Sequence, residues 1–132
     1  MKMTADTNVL VRAVTEDHAT QGKAAQAALQ RAEVVAISLS ALCELVWVLS
    51  QGYKIRSADI AATIRGLLNS ANVVVNRPAA EAGLALLDAG GDFADGIIAY
   101  EGHWLGADTF VSFDKKAVRL LEAQGDSAHL LS

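Results

Sequence analysis

Apolar positions along the chain alternate between two spacings, one typical of short buried strands and one typical of amphipathic helices. Short runs of β-branched and other apolar residues, bounded by polar or turn-forming residues, predict the strands. These strands are Met1–Ala5, Val34–Ser38, Asn72–Asn76, Thr109–Ser112 and, as an edge strand, Ala128–Leu131.

Helical spacing of apolar residues predicts the segments between the strands. The predicted helices are Thr7–Asp17, Thr20–Ala32, Leu42–Leu49, Ser57–Leu68, Ala79–Ala89, Phe93–Leu105 and Lys115–Ala123. Strands that alternate with helices are typical of parallel pairing. We therefore predict an α/β fold with a central short parallel sheet flanked by helices on both faces. A chain of this length fits a single domain over residues 1–132.

The charge balance argues at first against a nucleic-acid partner. The chain has 15 Asp and Glu residues against 11 Lys and Arg residues, which gives a formal net charge of −4. Nucleic-acid-binding proteins usually carry a basic surface. If four of the 15 carboxylates were bound to cations, the remaining acids would equal the 11 basic residues. The objection to a nucleic-acid partner therefore depends on whether some of these acids bind cations rather than remain as surface charges.

The cysteine content and the first residues favour the cytoplasm. Cys43 is the only cysteine, so no disulfide can form within the chain. The segment Met1–Asn8 lacks the basic and then apolar pattern of a signal peptide. The least charged stretch, Val34–Tyr53, contains Glu44 and several other polar residues, which argues against a membrane-spanning helix.

Asp6 and Asp114 each come just after a predicted strand. In a parallel sheet the ligand site lies beyond the carboxyl ends of the strands, which makes both residues candidates for a functional site. An aspartate at the start of a helix is also a common N-cap. Both interpretations remain open for each residue.

Glu44 is the only charged residue between Glu33 and Lys54, and its neighbours one helical turn away are mostly apolar. A capping box requires an acid three residues after the cap, whereas Ser40 precedes Glu44 by four. An isolated carboxylate on an apolar face is costly unless it is paired, protonated or bound to a metal. This pattern favours a functional role for Glu44.

Asp92 and Asp95 open the helix that follows Gly90 and Gly91. Asp92 occupies the N-cap position, and the spacing of three residues would also suit a capping box between the two aspartates. The face that begins at Asp95 continues through Ile98 and small residues, which are typical of an interior. We therefore expect Asp95 to point inward with a functional role and Asp92 to be structural.

Several carboxylates in one pocket would repel one another, and a divalent cation would remove this conflict. Ligands that are all oxygen atoms favour Mg²⁺, with Mn²⁺ as a substitute, over zinc. The three histidines show no metal-ligand spacing. A cation bound in this way can convert water into a nucleophile and stabilise a phosphodiester under attack.

Four segments in this order together resemble a PIN-domain ribonuclease of the VapC toxin type. They are DTNVL after the first strand, SALCELVWVL, DFADGIIAYEG and TFVSFDKKAVRLL. The resemblance covers nearly the whole chain and implies an acidic quartet that binds Mg²⁺ or Mn²⁺ at the carboxyl edge of the sheet. The matching acids are Asp6, Glu44, Asp95 and Asp114, and the matching small polar residues beside them are Thr7 and Ser112.

The same resemblance implies cleavage of single-stranded RNA by metal-activated water, inhibition by a small VapB-like antitoxin protein, and frequent homodimers. Asp92 matches the N-cap side of its helix rather than a metal ligand. Gly96 stands where the family often has alanine, a departure that lowers local helix propensity by up to about 1 kcal/mol.

Arg12, Lys115, Lys116 and Arg119 lie on the two helices that begin at candidate acids. They could contact RNA phosphates near the metal, although solvated helix faces explain them equally well.

Trp47 and Trp104 fall on apolar helical faces, which favours core positions over base-stacking platforms, and either residue could instead serve a partner interface. Cys43 has no nearby histidine in the sequence to lower its pKa, which favours a buried structural thiol over a nucleophile.

Two other functions remain compatible with an α/β chain. A phosphoacceptor signalling domain would use Asp6 in an acidic Mg²⁺ pocket, but the acid pair and late lysine of such a domain are missing. A PIN-like module could bind RNA or protein without cleaving, which the intact acids disfavour. Our leading prediction is a metal-dependent ribonuclease, a hydrolase of RNA phosphodiester bonds.

Overall fold

The computed structural model describes residues 1–132, which form five strands, seven α-helices and one π-helical turn. Contacts within the chain group the residues into two compact units, Met1–Asn76 (unit 1) and Arg77–Ser132 (unit 2). The elements of unit 1 are β1 (Lys2–Thr4), α1 (Thr7–Val14), α2 (Ala19–Arg31), β2 (Val34–Ala36), α3 (Leu39–Trp47), the π-helical turn (Val48–Gly52), α4 (Ser57–Leu68) and β3 (Val73–Val74). Those of unit 2 are α5 (Arg77–Asp88), α6 (Phe93–Trp104), β4 (Phe110–Ser112), α7 (Lys115–Ala123) and β5 (Ala128–Leu130).

Unit 1 is built on three parallel strands in the order β1, β2, β3. Met3 pairs with Val35, and Val35 pairs in turn with Val73. Val35 is fully buried, as expected for the middle strand of a parallel sheet. The helices present apolar residues at helical spacing to the same interior. The fully buried helical residues include Leu10, Leu42, Leu45, Ile60, Ile64 and Leu68.

Unit 2 pairs β4 with β5 in parallel, with Val111 opposite His129, and α7 connects the two strands. Helices α5 and α6 pack closely because glycines lie at their contact. A Cβ atom added to Gly96 would lie 2.5 Å from the carbonyl oxygen of Ala82, closer than real Cβ atoms approach. Phe93 is buried beside Gly83 in this contact.

The α/β fold class and the parallel pairing are confirmed. The hydrogen bonds form one three-stranded and one two-stranded sheet, where a single sheet was predicted. Each strand has only two or three residues, so each forms few ladder bonds. Ser38, which was predicted to end a strand, instead caps α3, because its Oγ accepts a hydrogen bond from Ala41 N–H at 3.1 Å.

Helix α3 continues into the π-helical turn, where Tyr53 N–H donates to the carbonyl of Val48, five residues earlier, at 3.1 Å. This wider turn was not predicted, because its hydrogen-bond shift has no characteristic residue pattern. None of the helices combines the length and the apolar character that are needed to cross a bilayer.

Candidate active site

Asp6 lies between β1 and α1 and is the N-cap of that helix. Its Oδ1 accepts a hydrogen bond from Val9 N–H at 2.9 Å, with extended backbone at Asp6 (φ −82°, ψ 170°). The prediction that Asp6 is a helix N-cap is therefore confirmed, and the cap uses Oδ1. Oδ2 accepts no hydrogen bond from the protein, so one oxygen remains available for another ligand.

Thr7 and Glu44 are in direct contact in unit 1. The Thr7 hydroxyl donates to Glu44 Oε2 at 3.1 Å, which joins the start of α1 to the middle of α3. Glu44 lies next to exposed side chains, including Trp47 at 67% exposure. The expectation of an isolated carboxylate on an apolar face was therefore wrong, because Glu44 is exposed and its side of α3 is open to solvent.

Arg12 is engaged within unit 1 rather than extended towards solvent. Its Nε donates to Gln21 Oε1 at 2.8 Å, and its guanidinium lies 3.6 Å from Asp17 Oδ1. Asp17 also accepts hydrogen bonds from the Tyr53 hydroxyl at 2.6 Å and from the Thr15 hydroxyl at 2.9 Å. These contacts give Arg12 a structural role, so an RNA contact would have to compete with them.

In unit 2, Asp114 caps α7 in the same way as Asp6 caps α1. Its Oδ1 accepts hydrogen bonds from Lys116 N–H at 2.9 Å and Ala117 N–H at 3.1 Å. Ser112 holds the preceding turn, because its Oγ accepts from Asp114 N–H at 2.9 Å. Asp114 Oδ2 accepts no hydrogen bond from the protein. Lys115 and Lys116 are exposed and form no ion pair.

Asp92 and Asp95 differ in exposure, and the predicted helix cap at Asp92 is confirmed. Asp92 is exposed and caps α6, since its Oδ1 accepts from Ala94 N–H at 2.9 Å. Asp95 is half-buried, and its carboxylate accepts no hydrogen bond and forms no ion pair, so the capping box does not form.

Burial raises the pKa of the Asp95 carboxyl, and the negative charges of Asp92 and Asp114 raise it further. These three carboxylates therefore interact within unit 2. Gly96 keeps α6 close to α5 at this point, which fixes the helix turn that carries Asp95. In neither unit do three or more His, Cys, Asp or Glu side chains form a group that could hold a metal ion.

Several large apolar residues that helical spacing assigned to the interior are exposed. Trp47 and Trp104 are 67% and 72% exposed, and Ile98, one turn after Asp95, is 56% exposed. The core prediction for the two tryptophans was wrong, because periodicity shows that a helix has an apolar face but not whether another element covers it. Phe113, which sequence analysis did not single out, is 75% exposed next to Asp114.

Unit 2 also has an open cavity of about 540 Å³ near the amino ends of its two strands. Thr109, Asp126 and Ser127 are among the residues that line it. None of the four predicted acids lines the cavity, so it is not the candidate site.

The acids on both units are hard oxygen donors, and Asp6, Asp95 and Asp114 each have at least one oxygen that the protein leaves unbonded. No individual curated protein matches the chain. The family model described as PIN domain matches residues 3–122, a range that includes all four predicted acids. Domains of this family are generally metal-dependent nucleases. Because the match covers nearly the whole chain, the protein belongs to the PIN-domain family.

Proposed function

We propose that this protein is an endoribonuclease that depends on Mg²⁺ or Mn²⁺, with Asp6, Glu44, Asp95 and Asp114 as the metal ligands. Membership of a family of metal-dependent nucleases supports the reaction class. The observation that carries the assignment is the Asp95 carboxylate, which is half-buried among like charges without any hydrogen-bond donor from the protein. Such a group costs folding free energy unless it is protonated, paired or bound to a cation.

The chemistry of the ligand set fits Mg²⁺ or Mn²⁺. All four side chains are carboxylates, and hard cations of this size prefer oxygen ligands. Asp6 and Asp114 each use one oxygen to cap a helix and keep the other unbonded. When bound, the cation would activate water at neutral pH and stabilise the charge that develops on the phosphodiester.

The neighbouring residues orient the acids. Thr7 fixes one oxygen of Glu44 through its hydroxyl, and Ser112 holds the backbone of Asp114. In this proposal both are positioning residues. Lys115 and Lys116 follow Asp114 in the first turn of α7, where their exposed ammonium groups would contact RNA phosphates.

The experiment that tests this function is cleavage of end-labelled transfer and ribosomal RNA fragments by the purified protein with Mg²⁺ or Mn²⁺. We expect discrete cuts that disappear with EDTA and in Asp95→Asn. Asp92→Asn is the matched control, because asparagine keeps the helix cap, and it should retain cleavage. Cuts that survive in Asp95→Asn would contradict the ligand assignment.

We also propose that the enzyme is the toxin of a toxin–antitoxin pair, acts in the cytoplasm as a homodimer, and is inhibited by a VapB-like antitoxin. Induced expression should arrest growth, and Asp95→Asn should relieve the arrest. Sedimentation of the purified protein tests the dimer. Normal growth during expression of an enzyme that cleaves RNA in vitro would contradict the toxin role.

A further inference from the structure

The two-stranded sheet of unit 2 has an exposed apolar face next to Asp114. Val111 is 51% exposed, Phe113 is 75% exposed and Leu131 is 41% exposed. Single exposed apolar side chains are common on proteins, but a group on one face is not. Burial of a Phe side chain normally contributes to the stability of a fold. The fold forgoes most of this contribution at Phe113.

The strand pairing brings these three residues to the same end of the two-stranded sheet. Val111 lies in β4, and Phe113 directly follows the last residue of β4, at a bend in the chain. Val111 and His129 lie opposite each other and share one face of the sheet, and Phe113 and Leu131 are the residues that follow the last pair, Ser112 and Leu130. His129 is also exposed. The other face carries Phe110, Ser112, Ala128 and Leu130, none of which is more than partly exposed.

The backbone on both sides of Phe113 is held in place. Leu131 N–H donates to the carbonyl of Ser112 at 2.8 Å, and Asp114 N–H donates to the Ser112 hydroxyl at 2.9 Å. Asp114 itself is fixed as the cap of α7. Phe113 is therefore an exposed aromatic side chain on a rigid support, and a preorganised side chain loses little conformational entropy on binding.

The cations of unit 2 are concentrated immediately after Phe113. Of its four Lys and Arg residues, three lie in α7, at Lys115, Lys116 and Arg119. All three are exposed, and none forms an ion pair with an acid of the protein. Cations beside an exposed aromatic side chain are the combination that recognises single-stranded nucleic acid, through phosphates and stacked bases.

We propose that Phe113 is a base-stacking residue that positions an unpaired RNA nucleotide beside Asp114, with Lys115 and Lys116 on the adjoining phosphates. The inference rests on the proposed ribonuclease function and assigns to it a residue that contacts the substrate. A second protein chain is the other class of occupant for an apolar face. RNA fits better because the exposed cations and the proposed catalytic acid adjoin the same aromatic side chain.

The test is equilibrium binding of short fluorescein-labelled oligoadenylate and oligouridylate, measured by anisotropy at low salt in EDTA. EDTA prevents the proposed reaction, so binding is measured independently of cleavage. Phe113→Ala should weaken binding about ten-fold, since loss of stacking on one aromatic residue costs about 1–3 kcal/mol. Phe113→Trp should bind like the wild type. Phe113→Leu should be weakened nearly as much as Phe113→Ala, because it keeps apolar area but loses the ring.

Leu105→Ala is the matched control, because Leu105 is 89% exposed in the same unit but lies outside the sheet face. It should not change RNA binding. A double variant that carries both Lys115→Gln and Lys116→Gln should bind RNA with a weaker salt dependence. The slope of the logarithm of the binding constant against the logarithm of the salt concentration should become smaller by about 0.7 for each lost phosphate contact. Phe113→Ala should leave that slope unchanged.

Unchanged RNA binding by Phe113→Ala, or no binding by the wild type, would overturn the inference. So would a wild-type dimer that Phe113→Ala dissociates without any effect on RNA, which would assign the face to protein association. Binding that depends on Phe113 without any metal-dependent cleavage would uphold the stacking role and contradict the ribonuclease function. If both hold, Phe113→Ala should raise KM with little change in kcat.

Discussion

Asp17 in unit 1 and Asp95 in unit 2 show two opposite ways to place a carboxylate. The hydrogen bond from the Tyr53 hydroxyl is the largest of the effects that lower the pKa of Asp17, followed by the hydrogen bond from Thr15. Asp95 accepts no hydrogen bond, and its pKa is raised by burial and then by neighbouring acids. The fold itself supplies hydrogen-bond donors to Asp17, whereas it supplies none to Asp95.

Asp6 and Asp114 lie between these extremes. Each uses one carboxylate oxygen to cap a helix and leaves the other without a protein donor. A cap and a metal ligand are therefore compatible roles for one side chain. Substitution by alanine removes both roles together, whereas substitution by asparagine keeps the cap and removes the charge.

The largest expected change in stability comes from the glycines of the two units. Gly96→Ala should destabilise the protein by about 2 kcal/mol, because the added Cβ would overlap the Ala82 carbonyl and force α5 and α6 apart. Gly66→Ala in α4 has open space around it and should stabilise the protein by up to about 1 kcal/mol. Urea denaturation of both variants checks the two signs. An alanine tolerated at Gly96 would contradict the close helix contact beside Asp95.

The next effect separates the cap of Asp114 from its charge. Asp114→Ala should destabilise the metal-free protein by about 1 kcal/mol, because two backbone N–H groups lose their acceptor. Asp114→Asn should stay close to the wild type in stability. Both variants should lose stabilisation by Mn²⁺ in thermal melts. Equal stability of the two variants would show that the cap contributes nothing.

A smaller effect, of opposite sign, is expected at Asp95. Because its folded pKa is raised, ionisation of Asp95 opposes folding of the metal-free protein at neutral pH. Asp95→Asn should therefore raise the free energy of unfolding. The gain over the wild type should be complete above the folded pKa and should disappear as pH falls below the unfolded value of about 3.9. Urea denaturation of both proteins in EDTA across this pH range measures the difference in their free energies of unfolding. A difference that is absent, or that increases at low pH, would contradict the account.

The smallest effect concerns Tyr53→Phe, which removes the shortest hydrogen bond to Asp17. The pKa of Asp17 should move up towards its ordinary value, because the largest cause of its lowering is lost. A carboxyl whose pKa is lower in the folded than in the unfolded protein stabilises the fold at pH values above the unfolded pKa, and this stability is lost as pH falls through the folded pKa. Tyr53→Phe should therefore be less stable than the wild type at neutral pH, and the difference should disappear at low pH. Carboxyl NMR titration measures the shift, and an unchanged Asp17 pKa would refute this cause.

Local sequence rules predicted much of the fold. The bounds of α4 and α7 agree with their predictions. Asp92 caps its helix as predicted, and the capping interpretation of Asp6 and Asp114 describes real hydrogen bonds. These features depend on residues only a few positions apart, so their physical causes are visible in the sequence.

The features that sequence analysis missed depend on distant parts of the chain. Gly96 looked like a mild departure from the family pattern, yet the backbone of α5 leaves no room for a Cβ there. Arg12 looked like a candidate phosphate contact, but it donates a hydrogen bond to Gln21 and forms an ion pair with Asp17. The exposure of Trp104 and Phe113 likewise depends on which faces other elements cover.

The most direct test of the central claim is calorimetric titration of Mn²⁺ into the wild type, Asp95→Asn and Asp92→Asn, together with thermal melts. We expect binding by the wild type and by Asp92→Asn, and no binding by Asp95→Asn. At 100 times the Kd, Mn²⁺ should stabilise the first two proteins by about 2.7 kcal/mol. Binding of Mn²⁺ by Asp95→Asn with wild-type affinity would contradict the claim that this carboxylate is a metal ligand.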